Sequence, residues 1–351
     1  MAAKKPVAVM RDVAKLAGVS HQTVSRVLNE HPNVRQETRA RVLEAMESLD
    51  YRRNLAARTL VTRQSHTLGI IGFETTLFGP ASMLYGIEDA ARTAGYLVSI
   101  ATVRNLDHRP VLEAVDRLRQ HAVDGIIAIA PKPAVTNGLM QAPAGLYCVA
   151  VGGAGEAGAV PTVRIDNAAG ARAATRHLLD LGHRTVHHIA GPADWPEAQE
   201  RVTGWRDALN EAGAPVPPIA PQSWNAETGY EQGQALARDP AVTAVFCAND
   251  RIALGVLRAL HEAGRKVPEE VSVVGFDDMP DSGYFLPPLT TIRQDFAELG
   301  RLSLALLLEH MASNEGDESP AHVVVAPELI IRASTARPGG QSRSARSSTK
   351  R

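Results

Sequence analysis

Near the start of the chain, residues 12–29 read DVAKLAGVSHQTVSRVLN. Val13, Leu16 and Ala17 have the spacing of one apolar helix face, which predicts a short helix over residues 10–17. Gly18 follows at once, where the end of a helix favours a residue that adopts positive φ. A second helical pattern begins two residues later. The stretch therefore predicts two short helices joined by a tight turn, the helix-turn-helix arrangement.

The second predicted helix separates an apolar face from a polar one. Ser20 is a typical N-cap residue for it. Its apolar face consists of Val24, Val27 and Leu28, and its polar face of His21, Gln22, Ser25, Arg26 and Asn29. A third helix is predicted over about 36–49, where Val42, Leu43, Met46 and Leu49 would close a small core. Polar side chains near the start of the second helix are placed as in a helix that contacts base edges in DNA.

Composition indicates a folded chain of more than one domain. The 351 residues are 44% hydrophobic and 21% charged, which excludes a disordered protein. The two cysteines, Cys148 and Cys247, lie in apolar runs, so we expect buried thiols and no disulfide framework or Cys-rich zinc module. No apolar run approaches the ~20 residues that span a bilayer, and the first residues do not resemble a signal peptide. We therefore expect a soluble, cytoplasmic protein.

Charge is distributed unevenly along the chain. Residues 1–65 contain 12 Lys and Arg against 6 Asp and Glu, a net +6. Residues 337–351 contain 5 basic and no acidic residues, whereas residues 66–336 contain 20 basic and 32 acidic residues, a net −12. A basic head on an acidic body suggests that the head alone meets a polyanion, although a solvated basic face would look the same. The Ser-, Gly- and Arg-rich tail is predicted to be disordered.

The first motif and the following VRQETRARVLEAMESLDYRRN resemble the DNA-binding head of the lactose-repressor/galactose-repressor (LacI/GalR) family of bacterial transcription factors, and the resemblance extends over residues 8–336. It implies that His21, Gln22 and Arg26 read bases, since Arg pairs with guanine and Gln with adenine. The resemblance also implies DNA contacts, several of them with phosphates, from Ser20, Thr23, Ser25, Asn29 and Thr38.

The resemblance continues into residues 52–65, which match the hinge helix and linker of the family. It implies DNA contacts from Asn54, Ala57, Arg58 and Leu60, with the leucine wedged into the minor groove of a bent operator. Arg53 departs from the family pattern, in which many members have proline. A helix this short is unstable by itself, so the segment is expected to fold only on DNA.

After residue 66, short apolar runs alternate with amphipathic stretches. Runs such as TLGIIGF, GIIAIA and VSVVGF resemble buried parallel strands, and stretches such as RPVLEAVDRLRQH and DRIALGVLRALHEAG resemble helices. This alternation predicts an α/β body with parallel, doubly wound sheets. The resemblance implies a two-lobed body like that of periplasmic binding proteins. The predicted organisation is a head over 8–51, a hinge over 52–65, a body over 66–336 and a tail over 337–351. Within the body the N-lobe covers about 66–165 and 294–324, and the C-lobe about 166–293 and 325–336.

Ligands of such folds bind beyond the carboxyl ends of the strands. Arg201 matches the family arginine that faces the effector, and its fork suits two neighbouring hydroxyl groups. Asn249 and Asp277 follow strands and can accept hydroxyl hydrogens, while Trp224 and Phe296 could cover a sugar ring. The other predicted effector-binding residues come from two loops. Leu77, Gly79, Pro80 and Met83 belong to a stretch that matches a cleft-lining loop of sugar-responsive members, and Trp195 lies in a loop after a strand.

The cleft residues favour a small sugar as the effector and leave alternatives open. Ile129, Gly152 and Gly153 depart from some sugar-responsive members, which have an amide or an acid there. A purine-like co-repressor is one alternative, and a sugar-responsive regulator that also activates is another. HExxH, GxSxG and P-loop motifs are all absent, so we expect no enzyme. We also expect no cofactor, no metal and no membrane partner. The resemblance implies a homodimer on a pseudo-palindromic operator in double-stranded DNA. The tail lacks an apolar heptad repeat, so we expect a dimer and not a coiled-coil-tethered tetramer.

Overall fold

The computed structural model describes residues 8–29, 31–52, 64–73, 76–103, 107–130, 132–143, 145–153, 160–219, 223–312 and 321–339. The chain divides into two compact units, Met1–Ser65 and His66–Arg351. The predicted hinge contacts Asn54, Ala57, Arg58 and Leu60 lie outside the described residues, as do residues 340–351 of the predicted tail.

The first unit contains the three predicted helices, which are confirmed as α1 (Met10–Ala17), α2 (His21–Leu28) and α3 (Gln36–Ser48). Helix α1 ends at Gly18, whose φ of 64° lies in the left-handed region, where glycine has no steric penalty. Helix α2 begins at Ser20, whose side chain accepts a hydrogen bond of 3.1 Å from the backbone N–H of Thr23. Local sequence signals therefore set the helix-turn-helix.

The core of this unit differs in part from the prediction. Two leucines expected in it are largely exposed, Leu16 by 57% and Leu43 by 52%, so these two assignments are wrong. The fully buried residues are valines, alanines and one tyrosine, and Leu28, Met46 and Leu49 pack against them partly buried. The buried cluster consists of Val13, Ala14, Ala17, Val24, Val27, Val42, Ala45 and Tyr51.

The second unit alternates strands and helices as predicted. Its strands are β1 (Thr67–Phe73), β2 (Leu97–Val103), β3 (Gly125–Ile129), β4 (Tyr147–Val151), β5 (Thr162–Ile165), β6 (His187–Ile189), β7 (Ala244–Cys247), β8 (Ser272–Asp277), β9 (Thr290–Arg293), β10 (His322–Val325) and β11 (Glu328–Ile330). Its helices are α4 (Phe78–Thr93), α5 (His108–Gln120), α6 (Pro133–Leu139), α7 (Asn167–Asp180), α8 (Pro196–Glu211), α9 (Ala226–Ala237), α10 (Asp250–Glu262) and α11 (Phe296–Ala312), with a 3-10 turn at Ser282–Tyr284.

The strands form two sheets. The N-sheet has the order β10-β5-β4-β3-β1-β2 and is parallel throughout, and the C-sheet has the order β11-β9-β8-β7-β6. The C-sheet is parallel except at its edge, where β11 pairs antiparallel with β9. Both faces of each sheet are covered by separate apolar clusters. The predicted α/β class with doubly wound sheets is confirmed, with one antiparallel edge strand as the difference.

Several elements have weak local signals. Helices α6 and α9 and strands β5, β9, β10 and β11 were not among the elements predicted from the sequence. Helix α9 contains Gly229 and Gly233, which lower helix propensity. A Cβ atom on Gly229 would lie 2.0 Å from the carbonyl oxygen of Ile252 in α10. The glycine is therefore needed for the close contact of these two helices, which outweighs its low propensity.

Among the helices that the structure describes, none combines the length and the apolar character needed to cross a membrane.

Candidate functional site

The polar face of α2 presents the predicted base-reading side chains to solvent. His21, Gln22 and Arg26 are exposed, whereas Thr23 and Ser25 are half-buried beside them. Ser20 is exposed and caps the helix, so its hydroxyl already has a structural partner. The remaining predicted phosphate contacts are Asn29, exposed at the end of α2, and Thr38, half-buried in the first turn of α3.

Arg39 of α3 supports the C-terminal end of α2 and was not predicted. Its Nη2 donates a hydrogen bond of 3.0 Å to the carbonyl oxygen of His31, and its Nη1 donates one of 3.5 Å to that of Val27. Cationic donors satisfy carbonyl groups that a helix end leaves unpaired. Arg39 was missed because nothing in its local pattern distinguishes it from the other arginines of α3.

In the second unit, a cavity lies at the carboxyl ends of strands from both sheets. Nine of the ten predicted effector residues line it, namely Leu77, Gly79, Pro80, Met83, Trp195, Arg201, Trp224, Asn249 and Asp277. The same cavity is lined by residues that sequence reasoning did not assign to the effector, namely Phe78, Ile129, Val151, Gly152, Ile165, Asn167, Glu197, Arg251 and Gln294. The N-sheet side contributes apolar residues and glycines, and nearly all the polar groups come from the C-sheet side.

Arg201 is held rigidly in the wall of the cavity. It is 5% exposed, and its Nε donates a hydrogen bond of 2.9 Å to Oδ1 of Asn167. Its Nη1 donates to the carbonyl oxygen of Ala248, and the guanidinium lies over the Phe276 ring at 3.8 Å from the ring centre. Burial lowers the pKa of this arginine, and the neighbouring Asp277 opposes that effect.

Asp277 is the counter-charge of Arg201. Its Oδ1 lies 3.6 Å from Nη2 of Arg201 and accepts a hydrogen bond of 2.5 Å from Nε2 of Gln294. Burial raises the pKa of Asp277 to about 6, although Arg201 and Gln294 both favour the ionised form. Its backbone has a φ of 103°, a costly conformation for a residue other than glycine that is often retained at functional sites.

Two tryptophans and Asn249 form another part of the wall. The rings of Trp195 and Trp224 meet edge to face with their centres 5.6 Å apart. Asn249 caps α10 by accepting from the backbone N–H of Ile252, and its Nδ2 donates a 3.1 Å hydrogen bond to the Trp224 carbonyl oxygen. Nε1 of Trp224 is buried and has no hydrogen-bond partner among the described residues. The indole N–H is therefore a donor available to a ligand.

Glu197 is the most informative residue that the sequence reasoning missed. It lies one helical turn before Arg201 on α8, and its Oε1 accepts a hydrogen bond of 2.8 Å from the backbone N–H of Gly153, which follows β4 of the other sheet. Its Oε2 is buried and has no partner within the described part of the chain. Burial raises the pKa of Glu197 to about 7. Its spacing from Arg201 was the signal that could have revealed it.

The structure does not bring Phe296 to the cavity, which corrects its prediction as a ring that covers the effector. Phe296 is 8% exposed and belongs to the core of the N-sheet layer. Its ring packs edge to face against Phe78 with the ring centres 5.8 Å apart, and Phe78 lines the cavity in its place. Phe296 is the first residue of α11, and it packs with the apolar cluster between that helix and the N-sheet.

The two cysteines are free and buried, and burial raises the pKa of the Cys148 thiol to about 12. His187 and His188 follow one another in β6, so their side chains point to opposite faces. Over the described ranges, His, Cys, Asp and Glu side chains nowhere form a group of three or more that could hold a metal ion.

Comparison with known proteins decides the family. Residues 9–54 match the family described as bacterial regulatory proteins, lacI family, and residues 175–335 match a periplasmic binding protein-like domain. The chain is 34% identical to the lactose operon repressor of Escherichia coli (strain K12) over 354 aligned positions, which cover 97% of this chain and 94% of that protein. The chain belongs to the LacI family.

Further similarities are to a PurR repressor and to two solved structures. The HTH-type transcriptional repressor PurR of Pasteurella multocida (strain Pm70) is 33% identical over 93% of this chain and 98% of that protein. The lac repressor dimer bound to operator and the anti-inducer ONPF superimposes with a TM-score of 0.85, at 31% identity, over 95% of this chain and all of that one. A transcriptional regulator CelR–cellobiose complex superimposes with a TM-score of 0.68, at 31% identity, over 94% of this chain and all of that one.

These similarities confirm the predicted family and architecture. The chain is a LacI-family DNA-binding repressor with an effector-binding domain, and its relatives are regulators that bind operator DNA and effectors as dimers.

Proposed function

We propose that this LacI-family repressor responds to a small neutral sugar that binds in the cavity between the two sheets. The observation that carries the proposal is the arrangement of polar groups there. Arg201, a fixed hydrogen-bond donor, lies beside Asp277 in a wall that also contains the free indole N–H of Trp224. Aromatic and aliphatic side chains cover the rest of the cavity. A sugar has the same division into hydroxyl groups and apolar ring faces.

The proposed contacts with DNA lie mainly on the polar face of α2. We propose that His21, Gln22 and Arg26 read bases, and that the neighbouring hydroxyl and amide side chains hold phosphates. The head would extend over 8–51, with a hinge over 52–65 and the effector-binding body over 66–336. Two chains would pair on a pseudo-palindromic operator, and the sugar would weaken that complex because it binds better to the arrangement of the lobes that disfavours DNA.

A purine-like co-repressor is a second candidate. The similarity to PurR repressors favours it, since it extends over nearly the same share of the chain as the similarity to the lactose operon repressor. A flat aromatic base could stack on the Trp195–Trp224 pair, and base N–H groups could donate to Asp277. Regulation that includes activation by a sugar remains the other alternative.

A thermal-shift screen distinguishes these candidates. The probes are glucose, galactose, ribose, lactose and cellobiose, with guanine and hypoxanthine as the purine arm. A ligand at ~100 times its Kd stabilises the native state by about 2.7 kcal/mol. The proposal expects stabilisation by a neutral sugar, and release by that sugar of an operator selected from random DNA. Stabilisation by the purines alone, with tighter operator binding, would establish the co-repressor instead.

A further inference from the structure

We propose that Glu197 is the residue that selects the effector: its Oε2 accepts a hydroxyl hydrogen from a neutral sugar, and its negative charge excludes anionic ligands such as sugar phosphates and uronates. This inference rests on the sugar-responsive function proposed above. It assigns a role to a residue that neither the motifs of the sequence nor the partners of Arg201 indicate.

The geometry of the carboxyl group leaves one oxygen for a ligand. Oε1 is occupied by the N–H of Gly153 across the cavity, whereas Oε2 is buried without a partner among the residues described. A Cβ atom on Gly152 would lie 3.2 Å from Oε1, closer than nearly all such contacts. The two glycines after β4 therefore provide the space and the donor that hold this carboxyl group in place.

An unpartnered buried carboxyl oxygen is costly. Its cost falls when a ligand donates a hydrogen bond to it, and such a bond to a charged group is stronger than a neutral one. The N–H of Trp224 is the complementary unpartnered donor of the same cavity. Together they match a ligand that has both a hydroxyl donor and an oxygen acceptor, as a sugar has.

The charges around the cavity favour a neutral ligand. The charged side chains among its described lining residues are Arg201, Arg251, Glu197 and Asp277, two cations and two carboxyl groups. Arg201 is paired with Asp277, and Arg251 donates a 3.3 Å hydrogen bond to the carbonyl oxygen of Thr76. A neutral sugar preserves this balance. A phosphate or carboxylate group placed against the ionised Oε2 would bring two negatively charged acceptors together with no hydrogen to share.

The protonation of Glu197 provides an independent readout. The pKa of its carboxyl group is raised to about 7, and a sugar hydroxyl that donates to Oε2 stabilises the ionised form. Arg201 and Glu200 face Glu197 from its own helix, and Arg251 and Asp277 face the cavity from α10 and β8. The described lining residues on the N-sheet side include no titratable group. Sugar affinity should therefore increase about tenfold between pH 6 and pH 8, as the ionised fraction rises.

The test measures sugar affinity in the full-length chain by tryptophan fluorescence and calorimetry. The neutral probe is whichever of glucose, galactose, ribose, lactose or cellobiose binds the unaltered protein most tightly, and the anionic probes are glucuronate, galacturonate and glucose 6-phosphate. Glu197→Gln keeps the size of the side chain and an oxygen for Gly153 but removes the charge. It should weaken binding of the neutral probe at pH 8 at least tenfold, about 1.4 kcal/mol, and reduce the difference between pH 6 and pH 8 to what Asp277, whose pKa is about 6, contributes.

Glu200→Gln is the matched control, because Glu200 lies on the same helix, also has a raised carboxyl pKa, and does not line the cavity. At pH 8, where Glu197 is mostly ionised with or without the charge of Glu200, it should bind the neutral probe as the unaltered protein does. Melting of each ligand-free variant shows that it is folded, and Glu197→Asp, which retains the charge, should retain the pH dependence if it binds. Unchanged affinity in Glu197→Gln, or tighter binding of an anionic probe than of the neutral one by the unaltered protein, would overturn the inference. If no neutral probe binds the unaltered protein, the proposed function fails and this inference with it.

Discussion

The ion pair between Arg201 and Asp277 should contribute to the pH dependence of stability in the body. Both side chains are buried, so solvent screens their interaction little. Arg201→Ala leaves Asp277 without its counter-charge, and removing one partner of a buried pair costs about 3–5 kcal/mol. We expect a loss of this size at pH 8 in the free energy of unfolding.

The loss should be smaller at pH 5. The pKa of Asp277 is already raised to about 6 in the folded protein, so its proton stabilises the folded state at low pH and that stabilisation disappears as the pH rises through 6. Arg201 lowers this pKa. Without Arg201 the pKa of Asp277 should rise further. A rise of one in this pKa corresponds to about 1.4 kcal/mol in the free energy of unfolding. The destabilisation by Arg201→Ala should therefore be larger at pH 8 than at pH 5, by about 1.4 kcal/mol for each rise of one in the pKa of Asp277.

Denaturant unfolding followed by tryptophan fluorescence measures this difference, because all three tryptophans, Trp195, Trp205 and Trp224, lie in the body. Arg206→Ala, an exposed change on the same helix, controls for loss of an arginine side chain. Arg201→Ala/Asp277→Asn removes the unpaired charge and should recover part of the loss at pH 8. Equal losses at pH 5 and pH 8, with no recovery in the double variant, would refute the coupling of these two side chains.

Three further changes test the head, the cavity and the helix packing. Arg26→Ala should cost about 1–3 kcal/mol on the selected operator and relax its base preference, measured by fluorescence anisotropy; an equal loss on random DNA would show only a phosphate contact. Ser20→Ala removes the N-cap of α2 and should destabilise the head by about 1 kcal/mol, seen as faster amide hydrogen exchange in α2, and unchanged exchange would contradict the capping role. Gly204→Ala should lower the melting temperature strongly, because its Cβ would lie 2.0 Å from the carbonyl oxygen of Ala168 in α7. Gly79→Ala, the same change in helix α4 at a site with no atom within 4 Å, is the control, and an unchanged melting temperature in Gly204→Ala would mean that α7 and α8 can separate without cost.

The elements with local signals could be predicted from the amino-acid sequence. The helix-turn-helix depends on Gly18 and Ser20, which act within one or two turns of chain, and the buried strands are continuous apolar runs. The predicted cleft residues also came together, because the carboxyl ends of neighbouring parallel strands meet at one edge of a sheet. The family could be recognised because its DNA-reading motif is contiguous in the sequence.

Features that depend on residues far apart in the chain could not be predicted from the sequence and became visible in the folded protein. The carboxyl group of Glu197 obtains its place from Gly153, 44 residues earlier. Helix α9 tolerates its glycines because α10 packs against them. Phe296 turned away from the cavity, and Leu16 and Leu43 remained exposed, because burial depends on which surface a neighbouring element covers. Periodicity identifies an apolar face, but only the assembled neighbours determine whether that face is covered and which polar atoms are left for a ligand.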